Sequence, residues 1–188
     1  MPSPDPSKPI RLRDFAVDAV VLDTDTFRRR HADAFLVYEG SEGEWEAGPD
    51  LLQQTASIKL PKDPTKGASW HRLDYLVFPV RQARRSPFPN FITVGRLPTS
   101  DICIPDESLS KFHALFQRGA DGELRLLDTS SNHATFVNGK PVPNRHQGDA
   151  VKLKSRDRLL IGSVNLIFFA IEDFRAEVVQ ACSRKRER

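Results

Sequence analysis

Three short stretches of this chain concentrate side chains that bind anions: Gly95-Arg96, Ser110-Lys111-Phe112-His113, and the run Asp128-Thr129-Ser130-Ser131-Asn132-His133-Ala134-Thr135-Phe136-Val137-Asn138-Gly139. The types matter more than the count. An arginine offers a planar fork of N–H donors that matches the oxygens of a phosphate, and a lysine adds a point charge. Serine hydroxyls and an asparagine amide both donate and accept. Together they form a receptor for a group carrying about −1.5 to −2 charges and three acceptor oxygens. Each stretch also has a bland reading. Gly95-Arg96 alone is a strand-ending glycine and a solvated arginine, Ser110 to His113 alone is a hydroxyl-capped turn, and Asn138-Gly139 alone is a type I′ turn. Their order along the chain is what carries information.

Such residues act only if something rigid holds them, and binding side chains usually sit on loops carried by a stiff scaffold. After residue 70 short β-rich runs recur with turn signals between them: Leu76–Val80, Phe91–Val94, Ile102–Ile104, Ala114–Phe116, Leu124–Leu127, Thr135–Val137, Val151–Leu153, Leu159–Ile161 and Val164–Ala170. Asp121-Gly122, Asn138-Gly139 and Gly162-Ser163 supply turn dipeptides. This spacing predicts an all-β sandwich rather than alternating βαβ units. Phe174, Val178 and Cys182 follow at i, i+4 and i+8, the period of a helix packing one face on the sandwich.

The three stretches, in this order and on this scaffold, resemble the forkhead-associated (FHA) domain. The resemblance runs from about Leu76 to Ala170. It implies an eleven-stranded sandwich that recognises phosphothreonine. Arg96 and Ser110 then match the phosphate-binding arginine and serine, and Lys111 a contact to phosphate or peptide backbone. Asn132 matches a variable position that contacts the phosphothreonine, and His133 stands where the family carries the asparagine that holds the ligand's main chain. Gly95, His113, Asn138 and Gly139 match structural positions, His113 as a brace for its loop. The family's Asn-Gly-Thr reads His133-Ala134-Thr135 here, which leaves two outcomes open: an adaptor for phosphothreonine proteins downstream of a Ser/Thr kinase, or a degenerate FHA scaffold that binds its partner without phosphate.

The domain plan has three parts: residues 1–70 as an N-terminal extension, 71–173 as the FHA domain, and 174–188 as a C-terminal helix with a basic tail. Within the extension, Pro2, Pro4, Pro6 and Pro9 mark a disordered lead-in. Phe15 to Leu22 reads as helix or strand, and Thr24 or Asp25 caps a short helix through Arg30. Phe35 to Tyr38 reads as a strand, followed by a Gly/Glu-rich turn before Trp45. Pro61 to Gly67 is the linker candidate. No internal repeat is evident. A phosphorylated threonine in Asp23-Thr24-Asp25-Thr26 would make the chain's own N-terminal segment a second ligand. As plain structure, the same residues cap a helix.

Composition excludes other classes. The chain is 39% hydrophobic and 28% charged, as ordinary globular proteins are. It has no GxxxxGK[ST], GxSxG, HExxH or GxGxxG pattern, and Ser110 with His113 lacks a third group, so neither catalysis nor a cofactor is expected. The five histidines and the two cysteines, Cys103 and Cys182, show no metal-ligand spacing. The N-terminus lacks an apolar signal segment, and the longest apolar run, Leu166 to Ile171, is too short to cross a bilayer; a cytoplasmic protein away from membranes is expected. Residues 1–70 hold 9 basic and 12 acidic side chains, and residues 71–188 hold 19 and 13. The basic tail carries no interleaved aromatics, so nucleic acid is a poor partner.

Overall fold

The computed structural model describes residues 10–41, 72–83, 88, 90–129, 131–144 and 146–186. Among them eleven strands build two sheets. In chain order they are β1 Ala34–Ser41, β2 Val77–Pro79, β3 Phe91–Gly95, β4 Ile102–Cys103, β5 Ala114–Arg118, β6 Leu124–Asp128, β7 Thr135–Val137, β8 Lys140–Pro141, β9 Val151–Lys152, β10 Arg158–Ile161 and β11 Val164–Ala170. One sheet runs β2-β1-β11-β10-β7-β8 and the other β4-β3-β5-β6-β9. Every pairing is antiparallel except β3 with β4. This is the sandwich expected from the strand spacing. Three turns have the backbone their residues suggest: Gly122 (φ 80°), Asn138 with Gly139 (φ 50° and 77°) and Gly162 (φ 63°) lie in the left-handed region that favours Gly and Asn.

The main core fills the space between the sheets, with Leu36, Tyr38, Val94, Ile104, Phe116, Leu126, Leu159 and Leu166 all buried. A second core lies on the outer face of the six-stranded sheet. There Phe35, Val37 and Phe169 meet Leu12, Phe15, Phe27, Phe174 and Val178. Successive side chains of a strand point to opposite faces. Phe35-Leu36-Val37-Tyr38 is apolar without alternation because both faces of β1 are covered, and its neighbour β11 divides Leu166 and Phe168 from Ile167 and Phe169 in the same way.

The outer layer consists of a 3₁₀ turn (Leu12–Phe15), α1 (Ala16–Val21), α2 (Thr24–Arg30) and α3 (Ile171–Arg186). Phe15 to Leu22, open between helix and strand in the sequence, is helical through Val21, with Leu22 extended as the cap. The cap of α2 is Asp23, one residue before the expected Thr24 or Asp25; its carboxylate accepts from Thr26 N–H (2.9 Å) and Thr26 Oγ1 (2.7 Å). α3 leaves β11 without a loop and begins at Ile171, three residues before the expected Phe174. Phe174 stacks on Phe35 with ring centroids 3.8 Å apart. Arg175 ties the layer together. It donates to Thr24 Oγ1 (2.6 Å), Ala19 O (3.1 Å) and Leu22 O, and lies over the Phe27 ring.

β1 lies upstream of residue 71 yet pairs with β2 and β11, so the sandwich draws strands from both sides of that expected boundary. The proline-rich lead-in through Pro9, the turn before Trp45, the Pro61–Gly67 linker and the last two residues of the basic tail lie outside the described residues.

Candidate functional site

Strand register brings the three stretches to one end of the sandwich. Val94 of β3 faces Ala114 of β5, and Ala114 faces Asp128 of β6. Chain leaving β3, entering β5 and leaving β6 therefore emerges from a single row. Those three segments hold Arg96, Ser110 to His113, and Thr129 to Ala134.

The backbones of the first two meet closely. Arg96 N–H donates to Ser110 O (3.2 Å) and His113 N–H to Val94 O (2.7 Å). Gly95 permits this approach, because a Cβ there would lie 2.1 Å from Lys111 O. The loop after Arg96 is closed by Asp101, whose carboxylate accepts from Thr93 N–H and Thr93 Oγ1, both at 2.8 Å. The third stretch joins through Asn132, whose N–H donates to Ser110 Oγ (3.2 Å).

Asp128 organises that third stretch. Its carboxylate accepts from Ser131 N–H (2.8 Å), Ser131 Oγ (2.7 Å) and the fully buried Thr135 Oγ1 (2.7 Å). Burial pushes its pKa up, but these bonds and the nearby His113 outweigh that, and the net shift is downward. Thr129 fastens the loops to each other, its Oγ1 donating to Phe112 O (2.7 Å). His113 has no exposed surface. Its Nδ1 accepts from Ser110 N–H (3.0 Å), which puts the proton of the neutral ring on Nε2. Burial lowers the His113 pKa, and the Asp128 carboxylate and the His133 main chain only partly offset it.

The groups that point outward are left with unused donors. Arg96 is half-buried, yet its Nε is shielded from water and has no hydrogen-bond partner among the described residues. The exposed Lys111 pairs with no carboxylate among the described residues, and the Asn132 amide and His133 ring are likewise exposed and unbonded there. Ser110 Oγ already accepts from Asn132, so its own proton is free to donate. A partly desolvated guanidinium, an ammonium, a hydroxyl and an amide at one lip suit a compact, multiply charged anion.

The structure thus gathers Arg96, Ser110, Lys111, Asn132 and His133 in one loop cluster, with Gly95 and His113 directly beneath. Asn138 and Gly139 do other work. They make the β7–β8 turn, where Asn138 Nδ2 donates to Asp157 (2.7 Å) and Asn138 Oδ1 accepts from Arg158 N–H (2.9 Å). Three organising residues, Asp128, Thr129 and Ser131, were not singled out from the sequence. The Asp-x-x-Ser spacing of Asp128 and Ser131, which recurs as Asp23-x-x-Thr26, was the available signal. Cys103 donates weakly to Arg96 O (3.6 Å), and burial pushes its thiol up to about 11, too high for a nucleophile at neutral pH. No group of metal-binding side chains occurs among the described residues.

Residues 92–162 match the model of the FHA domain family. An oxoglutarate dehydrogenase inhibitor from Corynebacterium diphtheriae is 37% identical over 76 residues, covering 40% of this chain and 48% of that protein. Glycogen accumulation regulator GarA from Mycolicibacterium smegmatis is also 37% identical over 76 residues, covering 40% and 44%. The chain therefore spans about half the length of the curated relatives it matches. Among solved structures, the N-terminal FHA domain of Saccharomyces cerevisiae Rad53p in complex with a phosphothreonine peptide aligns with a TM-score of 0.40 and 28% identity, over 50% of this chain and 77% of that one. The segment that matches the FHA domain family spans all three loops of the site.

Proposed function

We propose that this chain is a non-catalytic adaptor that binds phosphothreonine-bearing proteins made by a Ser/Thr kinase. The observation that carries the reading is the Arg96 guanidinium, whose Nε is buried without a partner while its main-chain N–H meets Ser110 O (3.2 Å). A buried donor without an acceptor is costly to keep, by about 1–3 kcal/mol. A phosphate oxygen relieves that cost. Arg96, Ser110 and Lys111 then hold the phosphate, Asn132 contacts the phosphothreonine, and His133 stands at the rim. The match to the FHA family model and the relatives' regulatory names support the same reading.

The ligand we favour is a separate protein. Thr24 and Thr26 are engaged at the start of α2, Thr24 by Arg175 and Thr26 by Asp23, which weighs against the chain's own N-terminal segment. No helix among the described residues is long and apolar enough to cross a membrane. We place the adaptor in the cytoplasm, where kinase products are found. His133 in the family's asparagine position is the one feature that favours the rival, a scaffold binding without phosphate.

Calorimetric titration with a phosphothreonine peptide library and its unphosphorylated counterpart separates the two. Binding confined to phosphorylated peptides and lost in Arg96→Ala is expected. Equal binding of both peptide forms establishes the scaffold instead.

A further inference from the structure

Phe88 and Phe112 are 44% and 41% exposed, while the other described phenylalanines are buried or half-buried. They come from segments 24 residues apart and meet edge to face, with ring centroids 6.4 Å apart and planes at 87°. Neither belongs to the two hydrophobic cores. Both are anchored through their backbones. The Phe112 carbonyl accepts from Thr129 Oγ1 (2.7 Å), and the residues on either side are fixed by the Ser100–Lys111 and His113–Val94 bonds. The Phe88 carbonyl accepts from Gln82 Nε2 (2.7 Å) and from Phe91 N–H (3.2 Å). Exposed apolar surface that is clustered and rigid marks a contact site, and aromatic residues dominate such sites.

The pair adjoins the anion cluster: Phe112 follows Lys111 and lies two residues from Ser110. Two residues of chain span at most about 7 Å, and an extended peptide rises about 3.3 Å per residue. With the phosphothreonine on Ser110, a side chain within about three positions of it in the peptide can reach the aromatic pair. We propose that Phe88 and Phe112 form a specificity subsite selecting one large apolar or aromatic residue that flanks the phosphothreonine. This rests on the phosphothreonine reading of the neighbouring site. The basic lip takes the phosphate and the aromatic edge takes the flank, so the preferred ligand carries both within one short segment. A pre-ordered aromatic surface loses little freedom on binding, which is why an anchored pair can discriminate.

The test is a scan of phosphothreonine peptides in which each flanking position is varied in turn, phosphorylated and unphosphorylated, against the full chain and its Phe112→Ala and Phe88→Ala variants. Thermal melts of both variants should match the wild type, since both side chains are surface-exposed. The readout is the affinity ratio between the best peptide and the same peptide with its selected residue changed to Ala. A ratio of about three- to tenfold is expected for the wild type, the scale of an aromatic contact, falling to about one in Phe112→Ala. Phosphate-dependent binding with no preferred flanking side chain, or a ratio unchanged in both variants, overturns the subsite and leaves phosphate recognition standing. Equal binding of phosphorylated and unphosphorylated peptides overturns both readings.

Discussion

Gly95→Ala is the sharpest test of how the site is assembled. The substitution adds one carbon, and that carbon would sit 2.1 Å from Lys111 O, 2.8 Å from the Lys111 carbonyl carbon and 2.9 Å from Ser100 Oγ. Two of these neighbours are backbone, so no side-chain rotation relieves the clash. To reach the 3.4 Å of an ordinary contact, the end of β3 and the Lys111 loop must part by about 1.3 Å. That opening stretches Arg96 N–H to Ser110 O from 3.2 Å and His113 N–H to Val94 O from 2.7 Å beyond hydrogen-bonding range. Overpacking of this kind costs about 1–3 kcal/mol, and each lost bond about 0.5–1.5 kcal/mol. The sum centres near 4 kcal/mol, a drop in Tm of about 8–16 °C for a chain of this length. Thermal and urea unfolding would measure it. Phosphopeptide titration well below the lowered Tm should show weakened binding as well, because the same movement separates Arg96 from Ser110. A Gly95→Ala protein that melts within about 2 °C of the wild type and binds normally would refute the close approach.

Arg96→Ala should weaken phosphopeptide binding by about 2–5 kcal/mol, measured calorimetrically, without lowering the stability of the free protein, since it removes a buried donor that has no acceptor. Burial lowers the His113 pKa in the folded state, so stability from this residue is complete above the unfolded value of about 6.5 and is lost as pH falls through it; urea titrations at pH 7.5 and 5.5 should show that loss, and His113→Ala, destabilised by about 1–3 kcal/mol, should lack it. The Asp128 pKa is lowered on folding, so its contribution holds above the unfolded value of about 3.9 and disappears as pH falls further; Asp128→Ala, which strands the buried Thr135 hydroxyl, should cost about 2–4 kcal/mol in denaturant unfolding. Asn132→Ala should weaken phosphopeptide binding by about 1.5–3 kcal/mol in calorimetric titration, whereas His133→Asn should bind as the wild type does; the reverse outcome would put the imidazole on the phosphate instead.

Much of this molecule is legible in its sequence because the strands obey local rules. Runs of β-branched and aromatic residues between turn dipeptides mark nine strands after residue 70, and Asn138-Gly139 adopts the turn its residues favour. What escapes is what local rules do not encode. β8 is two exposed residues, Lys140 and Pro141, with no burial pattern to read. α1 is six residues long, and Val17, Val20 and Val21 face solvent, so its apolar residues do not mark its packed face. The continuous apolar run of β1 announces burial on both faces without saying what covers the second. The answer comes from Phe174 and Phe15, distant in sequence. At the site, residue types single out Arg96 and Ser110, but the bracing by Asp128 and Thr129 depends on strand register. The meeting of Phe88 and Phe112 likewise appears only once the chain is folded.

β1 sets a limit on how this protein can be shortened. The family match begins at residue 92 and ends at 162, which excludes β1, β2 and β11. A fragment cut at 71 would keep β11 but remove the strand that pairs with it from Ala34↔Ala170 to Ser41↔Val164. β2 would lose its partner too, since it pairs through β1. β11 would then stand as an edge: seven residues, largely Val, Leu, Ile and Phe, with a full row of unsatisfied N–H and C=O groups and an outer apolar face that has lost Leu12, Phe15 and Phe27. Such an edge recruits strands from other molecules. Fragments that start at residue 71 should aggregate through it, and the smallest soluble form of this chain must start before residue 34.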